Sequence, residues 1–239
     1  MSILKNLTTD SSIKGETDSL GSGGLWESGT YPLTIKVAYL STAASGALAL
    51  NIVAAAGEKE IKQQFWMTSG TEKGTKNYYE KNGEKHYLPG FIAANSLALL
   101  TLGKEVGELD VEKKVIKVYD FESKKEVPTE VDAFVDLHGQ EIIAGILKQK
   151  VDKTAKGDDN MYHPTGETRE ENEIVKFFRA EDGLTVPEVE AGVTEAKFKA
   201  DWEKKFTGTV RNRAKGAEAG VKAGAPSTAQ KPTKSLFAK

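Results

Sequence analysis

Aromatic and lysine side chains are concentrated in one stretch of the sequence, residues 62–91. This stretch is about an eighth of the chain, yet it contains six of the nineteen aromatic residues. Exposed aromatic rings stack on nucleic-acid bases and lysines pair with phosphates, so the two together are typical of surfaces that bind single strands. The candidate nucleic-acid-binding residues are Trp66, Tyr78, Tyr79, Tyr87, Lys62, Lys73, Lys76, Lys81 and Lys85.

The Asn82-Gly83 pair predicts a tight β-hairpin inside this stretch, because a type I′ turn needs positive φ at both central residues. With the turn there, Tyr78 faces Tyr87 and Tyr79 faces His86, and oppositely charged residues flank the turn. Neighbouring residues of a strand point to opposite sides, so the two aromatic pairs lie on different faces of the hairpin. Either one aromatic pair is presented to a ligand, or Trp66 and one tyrosine pair belong to the core and the lysines only keep the hairpin soluble.

The sequence contains no arrangement of residues that is typical of an enzyme. Its three histidines (His86, His138 and His163) are far apart, and none has a partner at a metal-binding spacing. The chain has no cysteine, which excludes disulfides and thiolate metal sites. No Gly-x-Ser-x-Gly motif is present. We therefore expect no catalytic residue, no metal and no cofactor, and we expect a structural role for His138.

The hydrophobic pattern predicts a mainly β fold. Apolar and polar residues alternate over residues 30–40 and 60–68, which predicts two strands. Residues 47–56 predict a strand between them with Leu48, Leu50 and Ile52 inward, although their alanines leave a helix as the alternative, and residues 92–102 have the spacing of a buried helix. Alternation returns over residues 111–121, 129–139 and 141–151. This order predicts an OB-fold-like, five-stranded β-barrel with one inserted helix and long loops.

The sequence becomes polar after Lys150, and residues 152–172 predict a long acidic loop. Its carboxylates at 167–173 either lie near the lysine-rich stretch and compete with phosphate, or form a solvated connector. Residues 195–206 predict a C-terminal helix, which Thr194 can cap and on which Phe198 and Trp202 share one face.

Composition and charge divide the chain into three parts. Residues 1–29 predict a flexible N-terminal arm, residues 30–206 the OB-fold domain with its extensions, and residues 207–239 a disordered basic tail. The net charge is −2, but residues 203–239 carry +7 and the remainder −9. An acidic body argues against a protein that binds duplex DNA, which needs a broad basic face. Leu236 and Phe237 form an apolar pair near the end of the tail, which suits docking to a partner protein.

No apolar run reaches the length of a membrane span, and the N-terminus lacks the apolar region of a signal peptide. We therefore expect a cytoplasmic protein with no membrane association.

Five separated blocks of the sequence carry a resemblance to a known family. They are SILKNLTTDSSIKGETDSLG, WMTSGTEKGTKNYYEKNGEKHYLPGF, GILKQKVDK, TGETREENEIVKFFRA and KPTKSLF. In this order they resemble bacteriophage single-stranded DNA-binding proteins. The resemblance implies an OB-fold protein that coats single strands during phage DNA replication and recombination in the host cytoplasm. Many single-strand binders end in an acidic tail that recruits replication enzymes, whereas this tail is basic, so the resemblance does not imply an acidic-tail switch here.

The sequence therefore predicts a protein without catalytic activity that binds and protects single-stranded DNA and contacts phage or host replication proteins through its tail. The alternative is an adaptor between proteins, which would use the aromatic hairpin and the Leu236-Phe237 pair to hold its partners.

Overall fold

The computed structural model describes residues 24–120, 125–159 and 161–215. The strands are β1 (Gly29–Thr42), β2 (Leu48–Ala56), β3 (Lys59–Trp66), β4 (Tyr78–Lys81), β5 (Glu84–Tyr87), β6 (Glu112–Asp120), β7 (Lys125–Ala133), β8 (Glu141–Lys156), β9 (Tyr162–Arg179) and β10 (Val210–Asn212). The helices are α1 (Pro89–Leu102), α2 (Val186–Glu190) and α3 (Lys197–Phe206).

Eight of the strands form one sheet, and β4 and β5 form a separate two-stranded sheet. Across the large sheet the order is β10, β8, β1, β2 and β3, with β7 also on β1, β6 on β7 and β9 on β8. All of these pairs are antiparallel except that of β10 with β8. The prediction of a mainly β fold is confirmed. The sheet has eight strands instead of five, and no hydrogen-bonded ladder joins β3 to β9 within the described part of the chain.

The core lies between the inner face of the sheet and α1. Leu50 and Ile52 of β2, Leu97 of α1 and Phe177 of β9 are all almost fully buried in it. Helix α1 is apolar on nearly every side, which fits an element that is covered by the sheet and by neighbouring turns. It ends at Gly103, whose φ of +68° is accessible to glycine at little cost. The predicted inserted helix is therefore present.

The prediction of a long acidic loop after Lys150 is wrong. Strands β8 and β9 extend beyond the body as a long antiparallel ribbon, and residues 162–173 belong to β9. The outer part of this ribbon has no alternation of apolar and polar residues, because neither of its faces is buried and charged side chains occupy both. Two of the carboxylates pair with lysines of the same ribbon: Lys153 pairs with Glu167 at 2.8 Å and Lys148 pairs with Glu170 at 3.3 Å.

Helix α3 packs on the outer side of β8 and β9 through Trp202, which is buried against Phe178. Its N-cap is Ala196 and not the predicted Thr194, because the chain enters the helix two residues later. Phe198 shares a face with Trp202 but is 45% exposed.

The segment after α3 is a further strand, although the sequence predicted no regular structure from residue 207 onward. Strand β10 runs parallel to β8, and beyond it Arg213 N donates to Lys150 O at 2.8 Å. Arg211 fixes the position, since its guanidinium bonds both to Glu173 and to Oε1 of the buried Gln149. The predicted tail from residue 216 to 239 and the first 23 residues of the predicted arm lie outside the described residues. No helix among the residues that the structure describes is long and apolar enough to cross a membrane.

Candidate nucleic-acid interface

Strand β3 presents three large side chains in a row on the outer face of the sheet. Ile61 and Phe65 are buried in the core. The residues that alternate with them, Lys62, Gln64 and Trp66, are exposed, and the indole is 43% accessible. Residues on one face of a strand repeat every second position, so the row is about 13 Å long from Lys62 to Trp66. A single strand that follows β3 would meet a cation, an amide and an aromatic ring in turn.

A cluster of polar side chains extends from this row across β2 to β1. Asn51 lies between Gln64 of β3 and Tyr39 of β1. Gln64 Nε2 donates to Asn51 Oδ1 at 3.0 Å, and Asn51 Nδ2 donates to Ser41 Oγ at 2.7 Å. Burial raises the pKa of the Tyr39 hydroxyl above its ordinary value.

Sequence reasoning missed Tyr39, Asn51 and Gln64 as candidate contact residues. Asn51 offered a signal, since it is the one polar residue in the nine-residue strand β2, LALNIVAAA. The other two became candidates only when the register placed them in the same row across three strands.

The loop after β3 is fastened to the turn between β1 and β2. Thr71 N and Thr71 Oγ1 both donate to Ser45 O, at 2.8 and 3.2 Å. Lys73 closes a short 3-10 turn in this loop and is exposed, and Lys76 N donates to Ser69 Oγ at 2.9 Å. The turn between β1 and β2 leads into Ala49, which pairs with Trp66 at the end of β3. Lys73 and Lys76 belong to the loop that is fastened to this turn, so both lie toward the Trp66 end of the row.

The predicted hairpin and its register are confirmed. Tyr78 pairs with Tyr87 and Tyr79 with His86. Asn82 and Gly83 have φ of +55° and +81°, as a type I′ turn requires.

The hairpin contributes neither of its faces to the core. Tyr79 is 39% and Tyr87 58% exposed, although they lie on opposite faces, and Tyr78 is half-buried. Tyr78 is covered by cations rather than by core residues, because Lys76 Nζ and Lys85 Nζ lie 5.5 and 5.0 Å from its ring centre. Lys81 is exposed beside the turn. The hairpin therefore presents aromatic and basic groups on both sides.

Gly90, at the start of α1, holds the hairpin close to Trp66. A Cβ atom at this position would lie 2.1 Å from the Trp66 carbonyl oxygen and 2.7 Å from its amide nitrogen. On the hairpin side, Tyr87 contacts Phe91 with ring centres 5.1 Å apart. The absence of a side chain at Gly90 thus allows α1 to begin against the backbone of β3.

We predict that Gly90→Ala destabilises the protein by about 3 kcal/mol, because the obstructing atoms are backbone and cannot rotate away. Denaturant unfolding measures the change. Gly107→Ala is the matched control, since nothing lies within 4 Å of a Cβ there, and it should leave stability unchanged or slightly improved. Equal midpoints for the two variants would contradict the close contact.

Lys62, at the opposite end of the row, is paired with a residue of β7. Its Nζ lies 3.0 Å from Glu126 Oε1, and both side chains are about half exposed. The hydrogen bond from Lys62, and then its positive charge, lower the pKa of the Glu126 carboxyl, so the pair is ionised at neutral pH.

The histidines occupy three separate places. His138 has a structural contact, since Ala38 N donates to its Nε2 at 3.1 Å. His163 contacts Asp159 at 2.8 Å near the end of the β8–β9 ribbon, and His86 lies in the hairpin. No group of three or more potential metal ligands occurs in the portion of the chain that the structure describes.

The structure thus places the aromatic and basic hairpin next to the Trp66 end of β3, because α1 begins against the Trp66 backbone directly after the hairpin, and it places Lys62 at the other end of the row. Leu236 and Phe237, the predicted docking pair, lie outside the described residues. A scan against models of protein families, a search of curated proteins and a search of solved structures each find no match to the chain.

Proposed function

We propose that the protein binds and protects single-stranded DNA without strong sequence preference, by stacking bases on exposed aromatic rings and pairing phosphates with lysines. The observation that carries this proposal is the exposed indole of Trp66 on the outer face of the sheet, next to a hairpin whose aromatic rings serve no core. Stacking on such rings does not depend on base identity, because every base has a π-face. The resemblance to phage single-strand binders supports a role in phage DNA replication and recombination in the host cytoplasm.

An OB-type barrel is the architecture that we propose for the body. Strand β9 lies against β3, since Ile174 N is 3.4 Å from Gln63 Oε1 and the rings of Phe65 and Phe177 have centres 5.7 Å apart. Strands β1, β2, β3, β9 and β8 would then follow one another around the barrel, and β6, β7 and β10 would be additions. In OB-folds the outer face of the second and third strands binds oligonucleotides, and here that face carries Asn51, Gln64 and Trp66.

Titration with oligo-dT, followed by tryptophan fluorescence at two salt concentrations, tests the proposal. Of the three tryptophans only Trp66 is substantially exposed, at 43% against 7% for Trp26 and 6% for Trp202, so quenching reports mainly on the outer face. We expect quenching in the intact protein, an affinity that falls steeply with salt, and little quenching in Trp66→Phe. If fluorescence anisotropy of a labelled oligonucleotide also shows no binding at low salt, the proposal is wrong.

An adaptor between proteins is the second candidate. It is favoured by the apolar surface that Tyr87 and Ile92 leave exposed at 58% and 49% beside the hairpin. Such a protein would show no response to oligo-dT at either salt concentration.

We predict that removing residues 216–239 lowers DNA affinity modestly and flattens its salt dependence. The removed residues contain four lysines and one glutamate, and a basic segment adds affinity for any polyanion through counterion release. Truncation after Lys215 spares β10 and its contacts with β8, so the folded part should be unaffected. An unchanged salt slope would show that the segment does not contact DNA.

We propose that Leu236 and Phe237, and not the DNA-binding residues, dock on phage or host replication proteins. Replacing both by alanine should preserve oligo-dT binding and abolish capture of a replication protein from infected-cell lysate. Retention of every captured partner would contradict the docking proposal without affecting the proposal for DNA.

A further inference from the structure

Strand β7 lies across the outer face of the sheet. At one end β7 pairs with β1, where Tyr39 lies opposite Ala133 and Leu40 opposite Asp132. Seven residues before Ala133 in the chain, Glu126 reaches Lys62 on β3. Strands β1 and β3 are separated by β2, and Lys62 is on the outer side. The described residues of β7 therefore pass over β2 from one side of the outer face to the other.

The crossing point coincides with one end of the row on β3. Lys62 pairs with Val53 of β2, which pairs with Val37 of β1. Gln64 and Trp66 lie farther along β3 toward the hairpin of β4 and β5. A single strand that runs along β3 from Trp66 would therefore meet β7 when it reaches Lys62.

Among the described residues, a single ion pair joins β7 to β3, and its chemistry resembles that of a lysine bound to a phosphate. A carboxylate oxygen of Glu126 lies 3.0 Å from Lys62 Nζ, in the position where a phosphate oxygen would bind. The Lys62 side chain is 59% exposed and that of Glu126 47%. Exposed ion pairs are weak and exchange with competing anions. The hairpin of β6 and β7 is otherwise attached to the body at β1.

We propose that the Lys62–Glu126 ion pair is a latch, in which Glu126 imitates a phosphate and holds β7 across the strand-binding face until DNA takes its place on Lys62. This inference rests on the proposed function and adds a regulatory contact to it. Binding of a single strand to the whole row then requires the carboxylate to leave Lys62, and β7 is released from β3 in the same step.

Charge-matched variants test the latch. Glu126→Gln frees Lys62 and should tighten oligo-dT binding about two- to fivefold, the range that one exposed ion pair contributes. Glu130→Gln removes the same charge about 13 Å farther along β7. At 0.15 M salt, where the screening length is about 8 Å, this control should leave affinity unchanged. The effect of Glu126→Gln should also disappear in a Lys62→Gln background, because the two residues then have no interaction to lose.

Cross-linking tests the latch without relying on small affinity changes. The chain has no native cysteine, so a short bismaleimide applied to Lys62→Cys/Glu126→Cys joins only these two positions. The cross-linked protein should lose most of its oligo-dT affinity, whereas the same variant capped with N-ethylmaleimide on both cysteines should keep it. The comparison is made within one variant, so the loss of Lys62 affects both samples equally.

The two experiments separate the latch from the function on which it depends. If the intact protein does not bind oligo-dT, the proposed function is wrong and the latch fails with it. If the intact protein binds, but Glu126→Gln behaves like Glu130→Gln or the cross-linked protein binds as well as the capped one, the latch alone is wrong.

Discussion

Trp66→Ala should weaken binding of oligo-dT by about 1–3 kcal/mol, which is roughly a 5- to 150-fold higher Kd, without unfolding the protein. The indole is on the outer face, across from the small side chain of Ala49, so its removal leaves no cavity in the core. A base that stacks on the ring would lose its contact area, while the lysines would continue to pair with phosphates. Anisotropy of a labelled oligonucleotide measures the affinity, and circular dichroism with thermal unfolding checks the fold.

Tyr162→Ala is the matched control for this change. Tyr162 is 52% exposed, but it lies near the far end of the β8–β9 ribbon and not on the outer face of β1, β2 and β3. Its removal should leave oligo-dT affinity unchanged. Trp66→Phe should fall between the intact protein and Trp66→Ala, because a smaller ring still stacks. Unchanged affinity in Trp66→Ala would show that bases do not stack on this face of β3.

Local sequence signals predicted the hairpin of β4 and β5 completely. The turn residues Asn82 and Gly83 fix the register by themselves, and the residues that pair across the turn are at most nine positions apart. Helix α1 was predictable for a similar reason, since most of its residues are apolar and Gly103 ends it. In both cases the deciding interactions are contained in one short segment.

The ribbon of β8 and β9 was not predictable by the same reasoning, because its outer part has no buried face to impose alternation. Its strands are held by backbone pairing and by ion pairs such as Lys153–Glu167. A charged sequence of this kind predicts a loop, because it lacks the apolar residues that indicate a strand. Strand β10 was missed for a related reason. It has three residues, and its position depends on Arg211 and the distant Gln149.

Only part of the candidate interface could be predicted from the sequence. Trp66, the tyrosines and the lysines stood out by type and by closeness in the chain. Tyr39, Asn51 and Gln64 form one row only after three strands have paired. The contact of Lys62 with Glu126 joins residues 64 positions apart, and no local pattern indicates it. Lys62 was chosen as a free cation, whereas the fold gives it a carboxylate partner.

Phe177→Ala should destabilise the protein by about 3–5 kcal/mol, a large part of the 5–15 kcal/mol that stabilises a typical domain. Phe177 is 2% exposed and its ring packs edge-on against Phe65, with the two planes at 65°. The change removes the transfer free energy of the ring and leaves a cavity that rigid strands on both sides cannot close. Urea unfolding measures the loss as a lower midpoint at unchanged slope.

The control for this change is Phe198→Ala, which removes the same atoms from a side chain that is 45% exposed on α3. It should cost less than about 1 kcal/mol, because water already reaches much of the ring. The comparison also tests how the body is closed, since Phe177 is the side chain through which β9 packs against Phe65 of β3. If Phe177→Ala were as mild as Phe198→Ala, β9 would not support β3. The outer face that carries Trp66 would then belong to an open sheet, and the proposed OB-type barrel would be wrong even if the protein binds DNA.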